Sequence, residues 1–263
     1  RRTDRTRVTT VGIGVIGARS MVATRAVMPA IDASSEAELV AVSSLGGPVP
    51  ERWAHLAMDS YDEVLGHTAV DAVYIPLPNG MHREWVEGAA LAGKHVLCEK
   101  PLATSIADAT AMAAHCEAAG VMLAEAWMTP FDARWSAAID AAQHGALGSI
   151  LDIDTSFTFT IAASAADNYR WSPDQGGGAL LDVGVYCLGP IVALWDATPD
   201  IVDATALWHT TGVDARTEAT LAWADGREAR IRCSFVDAEE QRIEMVGDRA
   251  SLIISTDAHT GGE

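Results

Sequence analysis

Short apolar runs alternate with stretches of helical periodicity through the first 125 residues, and no other feature of this chain constrains its fold as tightly. Residues 8–16 read as a buried strand, 21–31 as a helix and 39–42 as a second strand. Helical patterns at 52–58 and 61–65 precede a strand at 72–76. A helix at 82–92, a strand at 95–98, a helix at 105–119 and a strand at 121–124 follow. Strands joined by helices must pair in parallel, so residues 1–125 are expected to form a doubly wound α/β domain of the dinucleotide-binding kind. Gly93 and Gly120 stand just past helices, where a left-handed cap is wanted.

The pattern changes after Glu125. A helix is expected at 130–144, a strand at 150–160, a loop up to Gly178 and a helix at 180–195. Alternating strands then run from Ile201 to Ile254, with hairpin signals at Asp225-Gly226 and Gly247-Asp248. Residues 126–263 are therefore expected to form an α+β domain with a largely antiparallel sheet, one face of which lacks an obvious covering helix. An uncovered apolar face implies self-association, as a homodimer or homotetramer through the C-terminal sheet.

Composition narrows the partners. The chain has 263 residues, 49% hydrophobic and 21% charged, and a formal charge of −18. Such an excess of acid argues against nucleic acid and anionic membrane surfaces. No uncharged run is long enough to span a bilayer. Cys98, Cys116, Cys187 and Cys233 lie scattered in apolar contexts without metal-ligand spacing, which reads as reduced core thiols and no metal site. The charged opening Arg1-Arg2-Thr3-Asp4-Arg5-Thr6-Arg7 has no apolar segment behind it, so a cytoplasmic protein with a disordered or trimmed lead-in is expected.

Two stretches carry the chemistry. Val96-Leu97-Cys98 ends in Glu99-Lys100-Pro101, at the strand end where a parallel sheet delivers side chains to a ligand. Lys100 serves no packing purpose there. Further on, Gly176-Gly177-Gly178 leads into Asp182 and Tyr186, four apart in a helical pattern and so expected on one face. Lysine, tyrosine and carboxylate are the groups of a proton relay beside a hydride carrier, because a nearby cation lowers a phenol pKa. Gly12-Ile13-Gly14-Val15-Ile16-Gly17 fits the dinucleotide fingerprint. The apolar run nevertheless reaches Ile16, which moves the phosphate-binding turn to Gly17-Ala18-Arg19-Ser20-Met21 and leaves Gly12 and Gly14 inside the strand. Arg19 reads equally as a solvated loop arginine or as a phosphate contact. After the second strand the chain runs Val42-Ser43-Ser44-Leu45, without the acid that holds a ribose 2′-hydroxyl in NAD-preferring sites.

Three strings together resemble the glucose-fructose oxidoreductase/inositol dehydrogenase (Gfo/Idh/MocA) family: Asp71-Ala72-Val73-Tyr74-Ile75-Pro76-Leu77-Pro78-Asn79 with His82, Ala92-Gly93-Lys94-His95-Val96-Leu97-Cys98-Glu99-Lys100-Pro101, and the triple glycine with Asp182 and Tyr186. The likeness spans nearly the whole chain and is greatest to the branch of dihydrodiol dehydrogenases, xylose dehydrogenases and sugar ketoreductases. It implies a nicotinamide-dependent oxidoreductase acting on a carbonyl or hydroxyl carbon of a sugar, sugar derivative or cyclic diol. Tyr186 would be the acid–base, Lys100 its assistant, and Asp182 would orient Lys100 or a substrate hydroxyl. Ser43 and Ser44 stand where many relatives carry Ser-Arg, so NADP(H) is favoured over NAD(H). The resemblance also implies cofactor contacts at Pro76, Leu77, Asn79, His82, Glu99 and Lys100. Asn79 could equally be a turn former, and His82 a helix-start residue. For substrate it implies Trp127, Arg170 and Trp171 besides Lys100, Asp182 and Tyr186, although Trp127 could be interface core and Trp171 an aromatic anchor of the loop. The family's Lys-Pro bond is often cis. Relatives usually continue past this point with further sheet and a closing helix, which implies either a missing C-terminus or an abbreviated fold. Some relatives keep the nucleotide fold as sensors or regulators without catalysis, and that is the alternative.

Overall fold

A computed structural model describes residues 10–165, 167–195 and 197–260. The expected lead-in at 1–7, residues 8 and 9 of the first expected strand and residues 261–263 lie outside them. The chain divides after Ala126 into two compact units.

In the N-terminal unit, β1 (Val11–Ile16), β2 (Ala37–Ser43), β3 (Ala72–Ile75), β4 (His95–Glu99) and β5 (Leu123–Ala126) form one sheet in the order β2-β1-β3-β4-β5, every neighbour parallel. The helices are α1 (Met28–Ala33), α2 (Tyr61–Gly66), α3 (His82–Leu91) and α4 (Ile106–Ala119). Apolar residues alternate between the sheet's two faces. Val73 and Ile75 pack with Val64, Val86, Ala89 and Met112, while Tyr74 packs on the other side with Ala23, Met28 and Trp53. The sheet is thus covered on both faces, as parallel sheets require. The helix expected at 21–31 contains a π-helical turn, Ala23–Val27, and continues through Pro29 to Ala33. That expected at 52–58 is a 3₁₀ turn, Glu51–Leu56. Ser105 caps α4, its hydroxyl accepting from the Asp108 amide, and Gly120 ends it at φ +69°. The Gly120 and Val121 amides fold back onto the Glu117 and Cys116 carbonyls, so the strand expected at 121–124 starts two residues late, at Leu123.

The C-terminal unit contains α5 (Ala133–Gln143), β6 (Ile150–Thr160), α6 (Ala179–Asp182), α7 (Gly184–Leu194), β7 (Ile201–Trp208), β8 (Asp214–Ala222), β9 (Glu228–Ser234), β10 (Val236–Gly247) and β11 (Ser251–Ile254). Its sheet runs β11-β10-β6-β9-β8-β7, antiparallel throughout except for the β6–β9 pair. The helix expected at 130–144 starts later: Thr129–Phe131 is a 3₁₀ turn, and the Asp132 carboxylate caps α5 by accepting from the Arg134 and Trp135 amides. The helix expected at 180–195 is broken. Val183 at φ −119° separates α6 from α7, and Gly184 packs so closely that a Cβ would stand 2.8 Å from Leu180 Cδ1. Asp182 and Tyr186 therefore do not share one face of a continuous helix, contrary to the periodicity.

Helix α7 covers the inner face of this sheet, where Tyr186, Cys187 and Ile191 join Ile153, Phe157, Ile231 and Cys233. The Thr155 hydroxyl donates to the Cys187 carbonyl at 2.9 Å. The outer face is not apolar as expected. Arg230 bridges Asp152 (2.7 Å) and Asp154 (3.2 Å), Arg242 reaches Asp154 (3.2 Å), and Arg232 reaches Glu240 (2.8 Å). Exposed apolar side chains gather on the edge strand β7, at Ile201, Val202, Leu207 and Trp208, with single ones at Leu151 on β6, Val236 on β10 and Ile253 on β11. All four cysteines are buried, and burial pushes the Cys98, Cys187 and Cys233 thiols up, Cys187 to about 12. Among the described residues no single helix is long and apolar enough to cross a membrane.

His259 pins the end of the described chain to this core. It is fully buried and stacks on Phe157 at 5.5 Å, with Nε2 3.0 Å from the Ser156 carbonyl. Thr129 donates to its carbonyl and Gln241 accepts from its amide. Burial pushes its pKa down to about 4, partly opposed by the bond to Ser156. The unfolded chain, with an imidazole near 6.5, binds the proton first. The stability is thus fully present above about pH 6.5 and falls as pH drops toward 4, by about 3 kcal/mol for this one group. His259→Phe keeps the stacked ring and removes the proton site. Its unfolding free energy, measured by denaturant between pH 4 and 6.5, should change with pH less steeply by up to one proton; equal slopes would refute this.

Candidate functional site

Strand order in the N-terminal unit reverses between β1 and β3, and open α/β sheets bind ligands beyond the strand C-termini at such a point. β1 runs to Ile16, so Gly12 and Gly14 lie within the strand and the turn starts at Gly17. Gly17 has φ +95°, and a Cβ there would stand 2.8 Å from Leu77 Cδ2 and 3.1 Å from the Pro76 carbonyl. Only glycine allows the turn to lie this close to the end of β3. The Gly17 and Ala18 amides both donate to the Ser43 carbonyl (2.9 and 3.0 Å), so two of the amides expected to face phosphate are spent on β2. Ala18 is buried, Met21 exposed, and the Ser20 hydroxyl accepts from the Ala23 amide at the helix start. The exposed Arg19 guanidinium donates to the Gly46 carbonyl. Ser43 is buried with its hydroxyl unpartnered among the described residues, and Ser44 is half-buried. A glycine turn without room for a side chain, a helix start, a cation and no carboxylate after β2 fit a dinucleotide.

Beyond β3, Pro76 and Asn79 are buried and Leu77 is half-buried. The fully buried His82 ring lies 2.9 Å from the Leu77 carbonyl and 3.0 Å from that of Pro101, stapling the loop after β3 to the loop after β4. Glu99 accepts from the Tyr74 hydroxyl at 2.7 Å and from the Lys100 amide at 3.3 Å. Lys100 is half-buried, and its bond to Pro101 is cis. Sequence reasoning overlooked Tyr74. Its signal was a tyrosine in an aliphatic strand, paired in register with Leu97, two residues before Glu99.

In the C-terminal unit the triple glycine is a packing device. A Cβ on Gly177 would stand 2.8 Å from the carbonyl carbon of Arg170, and the Gly178 amide donates to the Arg170 carbonyl at 3.0 Å. This close approach brings Arg170 to Asp182, where Nε donates to Oδ2 at 2.5 Å. Asp182 is buried and Arg170 mostly so. Burial opposes the Arg170 charge, but the Asp182 carboxylate, together with the Tyr169 and Tyr186 phenols, raises the pKa. Tyr186 is buried in the first turn of α7, its ring 5.3 Å from Phe157 and 6.1 Å from His259. Trp171 is buried, stacked on His209 at 4.2 Å and edge-on to Phe235. Trp127 meets Trp135 edge-on at 5.9 Å, with Nε1 buried and unpartnered among the described residues. Sequence reasoning also overlooked Asp214, which accepts from the Leu180 amide (2.8 Å) and the Thr217 hydroxyl (2.7 Å) and so holds the start of α6.

Residues 11–126 match the oxidoreductase family with an NAD-binding Rossmann fold, and residues 135–253 match the GFO/IDH/MocA C-terminal domain. The chain is 38% identical to D-xylose 1-dehydrogenase (NADP(+)) 2 of Haloferax volcanii, over 88% of its own length and 69% of the relative's. It is 39% identical to dTDP-3,4-didehydro-2,6-dideoxy-alpha-D-glucose 3-reductase of Streptomyces violaceoruber, over 92% of its own length and 72% of that enzyme's. Among solved structures it resembles a tyrosine-to-phenylalanine variant of a 3-ketoreductase from Actinomadura kijaniata in complex with TDP-benzene and NADP. That likeness has a TM-score of 0.86 at 29% identity and covers 94% of this chain and 77% of the other. Variants of the same ketoreductase with a lysine replaced match as well. A parallel dinucleotide-binding sheet followed by a mostly antiparallel one, with both family patterns in order, places the chain in the Gfo/Idh/MocA family of oxidoreductases. It is an NAD(P)-dependent dehydrogenase or reductase acting on CH–OH groups.

Proposed function

We propose that this chain moves hydride between nicotinamide C4 and a carbonyl or hydroxyl carbon of a sugar, sugar derivative or cyclic diol, with Tyr186 as acid–base and Lys100 as its assistant. The bound cofactor supplies or takes the hydride. The chain's own residues handle the proton. In the reducing direction the carbonyl carbon gains hydride, and its oxygen takes the Tyr186 proton while the Lys100 ammonium polarises it. Oxidation runs the same transfers backward. The observation that carries the reading is the setting of Tyr186: a phenol buried in the first turn of α7, just after Asp182, whose carboxylate is locked on the Arg170 guanidinium. An unperturbed phenol has a pKa of about 10, and neighbouring cations move it toward the working range. Asp182 acts in this reading through Arg170, on the loop the family uses for substrate.

Tyr186→Phe removes only the hydroxyl. With a sugar substrate and cofactor, kcat should fall by roughly 10²–10⁴-fold while dinucleotide binding persists. Lys100→Ala should do at least as much harm. If Tyr186→Phe retains kcat within about threefold, the tyrosine is structural and the proton passes elsewhere. Wild-type protein that turns over no sugar or diol with either cofactor would favour the sensor alternative.

The cofactor reading is NADP(H) over NAD(H), from Ser43 and Ser44 where an acid would bind a ribose hydroxyl. It is supported by the NADP(+) in the name of the Haloferax volcanii relative. kcat/KM should be higher with NADP(H), and a higher value with NAD(H) would overturn it.

Self-association through the C-terminal sheet remains our reading, on altered grounds. The outer face carries a trough of about 480 Å³ lined by Asp154, Glu218, Arg230 and Arg242, beside the exposed apolar edge of β7. A face carrying both signs of charge meets its own copy favourably under a two-fold axis that sets opposite charges against each other. Light scattering at micromolar concentration should give a dimeric or tetrameric mass; a monomeric mass rules the reading out.

A further inference from the structure

We infer that Arg19, from the first turn, is the residue that recognises the 2′-phosphate of NADP(H), a task dinucleotide folds commonly give to an arginine near the end of the second strand. This rests on the cofactor reading above.

The local geometry leads to Arg19 step by step. The Gly17 and Ala18 amides on the Ser43 carbonyl stitch the turn after β1 to the last residue of β2. The next residue, Arg19, thereby stands beside the loop that follows β2. Its guanidinium donates to the Gly46 carbonyl and lies over Gly47, where a Cβ would come within 3.1 Å of the guanidinium carbon. Gly47 has φ +136°, so glycine is needed there for conformation as well as for space. The loop from Ser43 to Pro50 contains no ionisable side chain. Among the described residues, Arg19 is therefore a cation that the fold delivers to the end of β2, where the adenosine ribose is read.

The charge of Arg19 is also unspent. In a chain of formal charge −18, Arg52, Arg83, Arg134, Arg170, Arg230 and Arg242 all pair with carboxylates. Among the described residues no carboxylate pairs with Arg19, whose contact is a neutral carbonyl. A planar guanidinium keeping most of its donors for a doubly charged oxyanion suits a phosphate monoester. The Ser44 hydroxyl, half-buried at the same strand end, is a second donor.

The test is calorimetric binding of 2′,5′-ADP and of 5′-ADP to wild-type protein, Arg19→Gln and Arg19→Lys, with thermal melts to verify folding. Wild type should bind 2′,5′-ADP more tightly. Arg19→Gln should weaken 2′,5′-ADP by ~10–100-fold and leave 5′-ADP within about threefold, and Arg19→Lys should recover part of the loss. If wild type prefers 2′,5′-ADP and Arg19→Gln keeps that preference, the assignment to Arg19 is wrong while the cofactor reading stands. If Arg19→Gln weakens both ligands equally, Arg19 serves the pyrophosphate and the inference fails. If wild type does not favour 2′,5′-ADP, the cofactor reading falls first and the inference falls with it.

Discussion

One carbonyl, that of Ser43, sets the geometry of the N-terminal unit. It accepts from both the Gly17 and the Ala18 amides and so fastens the turn after β1 to the end of β2. On the other side, the missing side chain of Gly17 lets the same turn lie against Leu77 and Pro76 at the end of β3. Three strand ends are thus drawn together at the point where strand order reverses. The next strand is tied in by side chains: His82 bridges the Leu77 and Pro101 carbonyls, and Glu99 holds the Tyr74 hydroxyl and the Lys100 amide. Buried polar groups satisfied in this way fix loop positions more firmly than packing alone. Lys100 accordingly leaves the sheet from a clamped position.

The C-terminal unit reaches the same end by different means. Here the glycines remove bulk so that the backbone at Arg170 can approach α6, and the buried Asp182 receives the guanidinium. A buried ion pair of this kind contributes little net stability but penalises every arrangement that breaks it. It therefore specifies geometry around Tyr186 at small energetic cost. The break at Val183 belongs to the same design, because a continuous helix would have carried Asp182 and Tyr186 rigidly together.

What was legible in the sequence was whatever depends on local pattern. The alternating apolar runs of the N-terminal half correspond to five parallel strands, and the in-strand position of Gly12 and Gly14 followed from the apolar run reaching Ile16. The Asp225-Gly226 turn falls between β8 and β9, with Gly226 at φ +93°. What was not legible depends on partners distant in the chain. The helical pattern at 180–195 gives no sign of the break, which answers to the close approach of Gly184 to Leu180 and to Cys233 on β9. The outer sheet face was misread as apolar because its arginines and carboxylates lie on different strands. Arg230 and Asp152, for instance, are brought together only by the parallel β6–β9 pairing. Tyr74 and Asp214 escaped notice for the same reason: each meets its partner across strands or elements.

The electrostatic help that the C-terminal unit can give a phenol is limited in kind. Arg170 is matched by Asp182 at 2.5 Å, so around Tyr186 the pair acts as a dipole rather than a full positive charge. A dipole's influence decays faster with distance than that of a single charge, and it favours phenolate only where the guanidinium end is nearer. In the reading proposed here, the reacting oxygen is polarised by a cation. Lys100 is the residue assigned to that task. Glu99, beside it in sequence, is already engaged with the Tyr74 hydroxyl and the Lys100 backbone amide. Those bonds direct the carboxylate toward holding the strand end from which the lysine emerges.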